Sequence, residues 1–271
     1  MFTSPPKRAL TEQLHANVVN PVLTFSTDET CTEEIDNVAV LSCTAVVTFE
    51  EHWIQHQAEP VCQLERRMCY AVSQIISAAL YLHDRGVPAT RLRPDNLMMA
   101  TSTSGDCYVL VRPSTHAVVN VSDAATTCDD IIQLILHLLR TVEPVAGTAK
   151  TTTGSPGKMP AARTQYSKGF HRVVRLLHQR TRDSLVESKN LLHFLLWGPP
   201  EDEAKLVAMT MTDRRETAFR VWLEVARNRL LSDIILDASA KGASLEVAEQ
   251  ALFLSSIRES SLLDVTKVLF I

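Results

Sequence analysis

Residues 81–97 read Tyr81-Leu-His-Asp-Arg-Gly-Val-Pro-Ala-Thr-Arg-Leu-Arg-Pro-Asp-Asn-Leu97, and what lies on either side gives the stretch its meaning. Upstream, Leu64, Met68, Val72, Ile75, Ile76, Ala79 and Leu82 recur at spacings of three and four, which predicts one long amphipathic helix from about Leu64 to His83. Gly86 and Pro88 end it, the first by backbone freedom and the second by its missing donor. Downstream, Leu97–Ala100 and Tyr108–Val111 predict two short strands joined by a turn over Ser102–Asp106 that contains Gly105. Ile131–Leu139 follows, so uniformly apolar that it suits a helix covered on every side.

Further out, Val38–Val47 is rich in β-branched residues and predicts a strand or a strand pair. Thr48 with Glu51 three residues on is a capping box for a short helix through His56. Leu10, Leu14 and Val18 have the spacing of one short helix in an otherwise aperiodic first 35 residues. Residues 141–168 carry Gly147, Gly154, Pro156, Gly157, Pro160 and a run of threonines, and predict a loop. Helical patterning resumes at Gly169 and runs nearly to the end.

This order of elements resembles the C-lobe of a protein kinase, and the local sequence agrees. Tyr81-Leu-His with Gly86 resembles the end of the kinase αE helix, and Leu92-Arg-Pro-Asp-Asn-Leu97 resembles the second half of the loop written H-R-D-L-x-x-x-N. The first half departs from it. Ala89, Thr90 and Arg91 stand in the places of His, Arg and Asp. The kinase Asp takes or orients the proton of the substrate hydroxyl; a guanidinium is always charged and has no acceptor. Val111-Arg112-Pro113-Ser114 stands where a D-F-G would follow the hairpin, so the main magnesium carboxylate is missing. Asn96 keeps the secondary metal position, where its plainer role is to brace the loop by hydrogen bonding. No G-x-G-x-x-G and no V-A-I-K-like lysine stand upstream, and the roughly 60 residues before the long helix are too few for a complete N-lobe.

The later residues narrow the resemblance. Asp130-Ile-Ile-Gln-Leu-Ile-Leu-His-Leu-Leu139 resembles a kinase αF helix, with too few residues between it and the hairpin for an activation segment ending in A-P-E. Gly169-Phe-His-Arg-Val-Val-Arg-Leu-Leu177 and Ser188-Lys-Asn-Leu-Leu-His-Phe-Leu-Leu-Trp-Gly-Pro199 are similar to the pseudopodium-enriched atypical kinases, the PEAK/Pragmin family of pseudokinases. In that family a helix ending "LLWGP" closes the C-lobe, and a W-x-x-x-[KR] helix follows. Trp222-Leu-Glu-Val-Ala-Arg227 resembles that helix, with its base one place later. A lone Trp197 before Gly-Pro reads equally well as an ordinary core or cap residue.

The resemblance implies a mainly α (α+β) fold: an N-terminal segment and reduced N-lobe remnant over 1–60, a pseudokinase C-lobe over 61–205 and a helical extension over 206–271. It implies an inactive pseudokinase, not an enzyme, with neither cofactor nor metal. Such a protein would work as a dimerising scaffold or adaptor in intracellular signalling, of the cytoskeletal or cell-motility type. Its expected partners are a second copy, a related pseudokinase or signalling adaptor proteins. Two other readings stay open: a weak nucleotide-binding or active atypical kinase, and a helical adaptor unrelated to kinases.

Composition bounds these expectations. The 271 residues are 45% hydrophobic and 21% charged with a net charge of −4, which supports a sizeable core and gives no nucleic-acid footprint. Arg172, Arg175, Arg180 and Arg182 come closest to a basic block and read as a solvated helix face rather than a phosphate site. Six scattered cysteines, none in a CxxC pair, read as reduced thiols. With no signal-peptide pattern and no apolar run of membrane-spanning length, the expected location is the cytoplasm.

The last 56 residues are unusually apolar. Phe219, Trp222, Leu223, Ala226, Leu230 and Ile234 make one helical stripe, broadened by Val221, Val225, Leu231 and Ile235. Leu245, Ala248, Leu252 and Ile257 make a second, and Leu262, Val265, Val268 and Leu269 a third. Faces this wide need covering on more than one side, by the C-lobe or by a partner chain. The resemblance favours a partner, and Phe219, Trp222, Leu230, Leu252 and Leu269 are the candidate dimerisation residues.

Overall fold

The computed structural model describes residues 2–3, 15–19, 23–25, 37–38, 43–86, 91–102, 105–111, 124–141, 164–209, 212–238 and 244–270. Three short strands, β1 (Phe2–Thr3), β2 (Leu23–Phe25) and β3 (Asn37–Val38), form a small antiparallel sheet in sequence order. Thus Val38–Val47 is not one strand: Asn37–Val38 belongs to this sheet, and β4 (Ala45–Thr48) to another.

Thr48 closes β4 and caps α1 (Phe49–His56). Its hydroxyl accepts from the Glu51 N–H, and the Glu51 carboxylate accepts from the Thr48 N–H at 3.0 Å. Helix α2 (Val61–Asp84) is 24 residues long and buries Met68, Val72, Ile75, Ile76 and Leu82. It ends at Gly86, whose φ of +64° is natural only to a residue without a Cβ.

A 3₁₀ turn at Pro94–Asn96 leads into the hairpin of β5 (Leu97–Thr101) and β6 (Cys107–Val111), which pairs Leu97 with Val111 and Thr101 with Cys107. Strand β4 joins the outer side of β5. Residues 17–19 cover the far edge: the Val111 N–H donates to the Asn17 carbonyl at 2.8 Å, and the Val19 N–H donates to the Val111 carbonyl at 3.0 Å. Val18 therefore sits in an extended bridge and not in the helix its spacing suggests; Leu10 and Leu14 lie outside the described residues. The buried Asn17 amide donates to the Val109 carbonyl and to Gln74 Oε1, which also accepts the Val109 N–H. One asparagine and one glutamine thus tie the hairpin to α2 and satisfy buried polar groups that would otherwise cost stability.

The centre of the molecule is α3 (Ala124–Thr141), α4 (Gln165–Leu177) and α5 (Arg182–Trp197) packed on α2. Helix α4 begins four residues before the expected start at Gly169, because Thr164 and Ser167 form a capping box. The Thr164 hydroxyl also donates to the buried Glu65 carboxylate on α2. Gly169 lets α4 and α5 approach closely: a Cβ there would lie 2.1 Å from a methyl of buried Leu195. Trp197 is core, as its plainer reading has it. Its ring meets Tyr70 of α2 and His193 on its own helix at centroid distances of 6.3 and 4.9 Å.

Four helices complete the chain: α6 (Glu201–Met209), α7 (Thr212–Ala238), α8 (Leu245–Ser256) and α9 (Glu259–Phe270). Helix α8 folds back onto α5, and α9 onto α4, α5, α6 and α7. The fold is mainly helical with small antiparallel sheets. Among the described residues, no helix is long and apolar enough to cross a membrane.

Candidate functional site

The loop at residues 91–97 hangs from one buried carboxylate. Asp130, nearly two turns into α3, is 6% exposed. Its Oδ2 accepts the buried Leu92 N–H at 3.0 Å. The Arg91 guanidinium grips the same carboxylate, with Nε–O distances of 2.9 and 2.8 Å and one Nη2–O distance of 2.6 Å. This charge-assisted fork raises the Arg91 pKa above its ordinary value. The Asn96 amide donates to the Arg91 carbonyl at 3.0 Å, closing the turn from the other side. Asn96 therefore serves as the loop brace that its plainer reading describes.

Chemically, this arrangement places a fixed cation and no acceptor side chain at position 91. Asp130 holds the backbone and neutralises the arginine. The structure brings Arg91 and Asn96 together; Ala89, Thr90, Arg112, Pro113 and Ser114 lie outside the described residues. Sequence reasoning treated Asp130 only as the opening of a buried helix. Its signal was an acid heading an otherwise apolar run, a position that demands a partner.

The five candidate dimerisation residues divide by exposure. Phe219 and Leu230 are buried within the chain and present nothing to a partner, which corrects the expectation for those two. Trp222 and Leu269 are half-buried against the core. Leu252 is 70% exposed, and Val221, Val225, Leu231, Ile235 and Leu236 leave one face of α7 apolar and open. Arg227 turns inward: its guanidinium donates to the Leu254 and Ile257 carbonyls at 2.8 and 3.3 Å, capping the end of α8.

Helix α8 also carries a half-buried acid. Glu249 shares a cavity of about 570 Å³ with Lys189, His193, Ser77, Leu252 and Phe253. Its Oε2 and the Tyr70 hydroxyl are both buried and face each other. Burial lifts the Glu249 pKa to about 7, lowers that of Lys189, and lowers that of His193 to about 4.

No protein-family model matches this sequence, and no curated protein does either. Among solved structures, the chain is similar to the pseudokinase PEAK1 (Sugen Kinase 269), with a TM-score of 0.68 over 96% of this chain and 77% of that one. The fold is kinase-like. At 18% identity the likeness carries the architecture, a reduced N-lobe and a helical C-lobe, and leaves the chemistry to be argued from the residues.

Proposed function

We propose that this chain is a catalytically inactive pseudokinase that works by assembly, as a scaffold for signalling proteins in the cytoplasm. The observation that carries the reading is the Arg91–Asp130 pair, which fills the catalytic-loop position with a neutralised cation. Arg112-Pro113-Ser114 in place of a D-F-G, and the lack of a glycine-rich loop in the sequence, support it independently. Residues 61–205 would be the kinase-like body, built on a remnant within 1–60, and 206–271 the assembly module. A second copy or a related pseudokinase would cover Leu252 and the open face of α7, with signalling adaptors recruited to the pair and cytoskeletal control as the setting.

The inactivity is tested by incubation with ATP and magnesium. Phosphate transfer should stay at background, and the melting temperature should not move; binding at a hundred times the dissociation constant would add about 2.7 kcal/mol. ATP-dependent stabilisation would return the protein to the active or nucleotide-binding class.

The assembly is tested by sedimentation at tens of micromolar. An interface burying on the order of 1,200–2,000 Å² gives a dimer. Leu252→Asp should yield a folded monomer, because that side chain is exposed in the single chain. Phe219→Asp should unfold the protein, because that side chain is core. A wild-type monomer with intact circular dichroism would remove the homodimer and leave only mixed assembly.

A further inference from the structure

Helices α4, α6 and α9 meet around an open bowl of about 670 Å³, formed by residues other than those of the 91–97 loop. Its lining holds four cations, Lys168 and Arg172 from α4, Lys205 from α6 and Lys267 from α9, against the single carboxylate of Glu201. Lys168 and Lys205 both bond to the same oxygen of Glu201, at 2.9 and 2.6 Å. One oxygen therefore restrains two ammonium groups, and the hydrogen bond from Lys205, with Lys168 adding to it, keeps the Glu201 pKa below the usual carboxylate value. Lys267 has only Asp264 on its own helix, at 3.4 Å. The Arg172 Nε–H is buried and has no hydrogen-bond partner among the described residues. A buried donor without an acceptor is costly, and the half-buried side chain that carries this one also lines the cavity.

The geometry points to a phosphate-monoester site here, one that takes a phosphorylated side chain displayed on a peptide. Three cations in excess of the one lining carboxylate favour the charge of about −1.5 to −2 on such a group, with Arg172 among them as the guanidinium. A peptide is favoured by the surroundings. Val268 at the lip is 45% exposed, and Leu206 and Met209 on α6 are 67% and 79% exposed, offering apolar contact for neighbouring side chains. Exposed acids lie on the same helices: Asp202 and Glu203 on α6, and Asp264, paired with Lys267, on α9. These acids and the net charge of −4 disfavour an extended anionic surface. The reading of these bases as a solvated helix face holds for exposed Arg175; Arg180 sits in the turn after α4 and pairs with Asp129, and Arg182 at the start of α5 grips Asp84, all three outside the bowl that Arg172 lines.

Two labelled degenerate peptide pools, identical except for phosphorylation, are compared by fluorescence anisotropy on the full chain. The phosphorylated pool should bind about tenfold more tightly or better, as a set of charge-assisted hydrogen bonds implies. Inorganic phosphate should displace it. Lys205→Gln and Arg172→Gln should each weaken binding about tenfold. Glu201→Gln should strengthen it several-fold, because it frees two lysines from a competing carboxylate. Lys205 is partly exposed, so its variant remains informative if Arg172→Gln fails to fold. Equal binding of the two pools overturns the site, as does indifference to both Lys205→Gln and Glu201→Gln. Capture by vesicles containing phosphatidylserine, without binding of the phosphorylated pool, also overturns it.

Discussion

Asp130→Ala should lower the unfolding free energy by about 3 kcal/mol, roughly double the loss from Arg91→Ala. The asymmetry follows from exposure. The Arg91 side chain is 57% exposed, so its guanidinium recovers water when the carboxylate is removed. The Leu92 N–H belongs to a residue only 2% exposed and has no such recourse. Asp130→Ala also opens a void beneath the loop, about two turns into α3. Arg91→Ala leaves the carboxylate with its Leu92 bond and water at the vacated surface. Urea denaturation of the two single variants and the double variant isolates the coupling between the side chains. Equal losses from the two single changes would show that the ion pair, and not the backbone bond, holds the loop. Arg91→Asp, which restores the residue type of an active kinase, should lose at least as much stability as Arg91→Ala and gain no phosphate transfer, because it sets a second carboxylate near a buried one.

The second large effect is a pH dependence at the α5–α8 contact. Glu249 titrates near 7 in the folded chain and near the ordinary carboxylate value when unfolded. Between those values the folded state holds the proton more tightly, so this group's contribution is full below the unfolded pKa and is lost as pH rises through about 7. His193 and His52 run the other way. Both are held neutral by burial with pKa values of about 4, so their contribution is lost as pH falls from the ordinary histidine range through 4. The opposing slopes overlap in the wild-type profile, and a variant is needed to separate them. Glu249→Gln imitates the protonated acid. It should match wild type at pH 5 and exceed it at pH 8 by on the order of 2–3 kcal/mol. Tyr70, Lys189 and Glu246 face the same carboxylate and remain in both proteins, so the difference isolates Glu249. Parallel stability curves for the two proteins from pH 5 to 8 would show that the carboxyl is solvated and α8 less tightly seated.

Wherever the deciding interaction is local, the sequence by itself determined this protein's structure. The capping box of Thr48 and Glu51, the spacing of Met68, Val72, Ile75 and Ile76, and the turn at Gly105 each act within a few residues. The degenerate loop was legible for the same reason: Arg91 in a short motif is a fact of residue type. What the tertiary structure alone decided is who meets whom across long separations. Nothing near Asp130 announces that it would hold Arg91 and Leu92, 39 and 38 positions earlier in the chain. Nothing near Asn17 announces Val109, 92 positions later. In α7 the ambiguity is geometric. Its apolar residues surround the helix, so periodicity identifies a helix that needs cover without saying which side receives it. The return of α8 and α9 settles the matter by burying Phe219, Leu223 and Leu230 and leaving Val221, Val225 and Ile235 to solvent. The bases of α4 obey the same physics: adjacent in sequence they are a charged face, and only the arrival of α6 and α9 gives Lys168 and Arg172 a shared concave surface with Lys205 and Lys267.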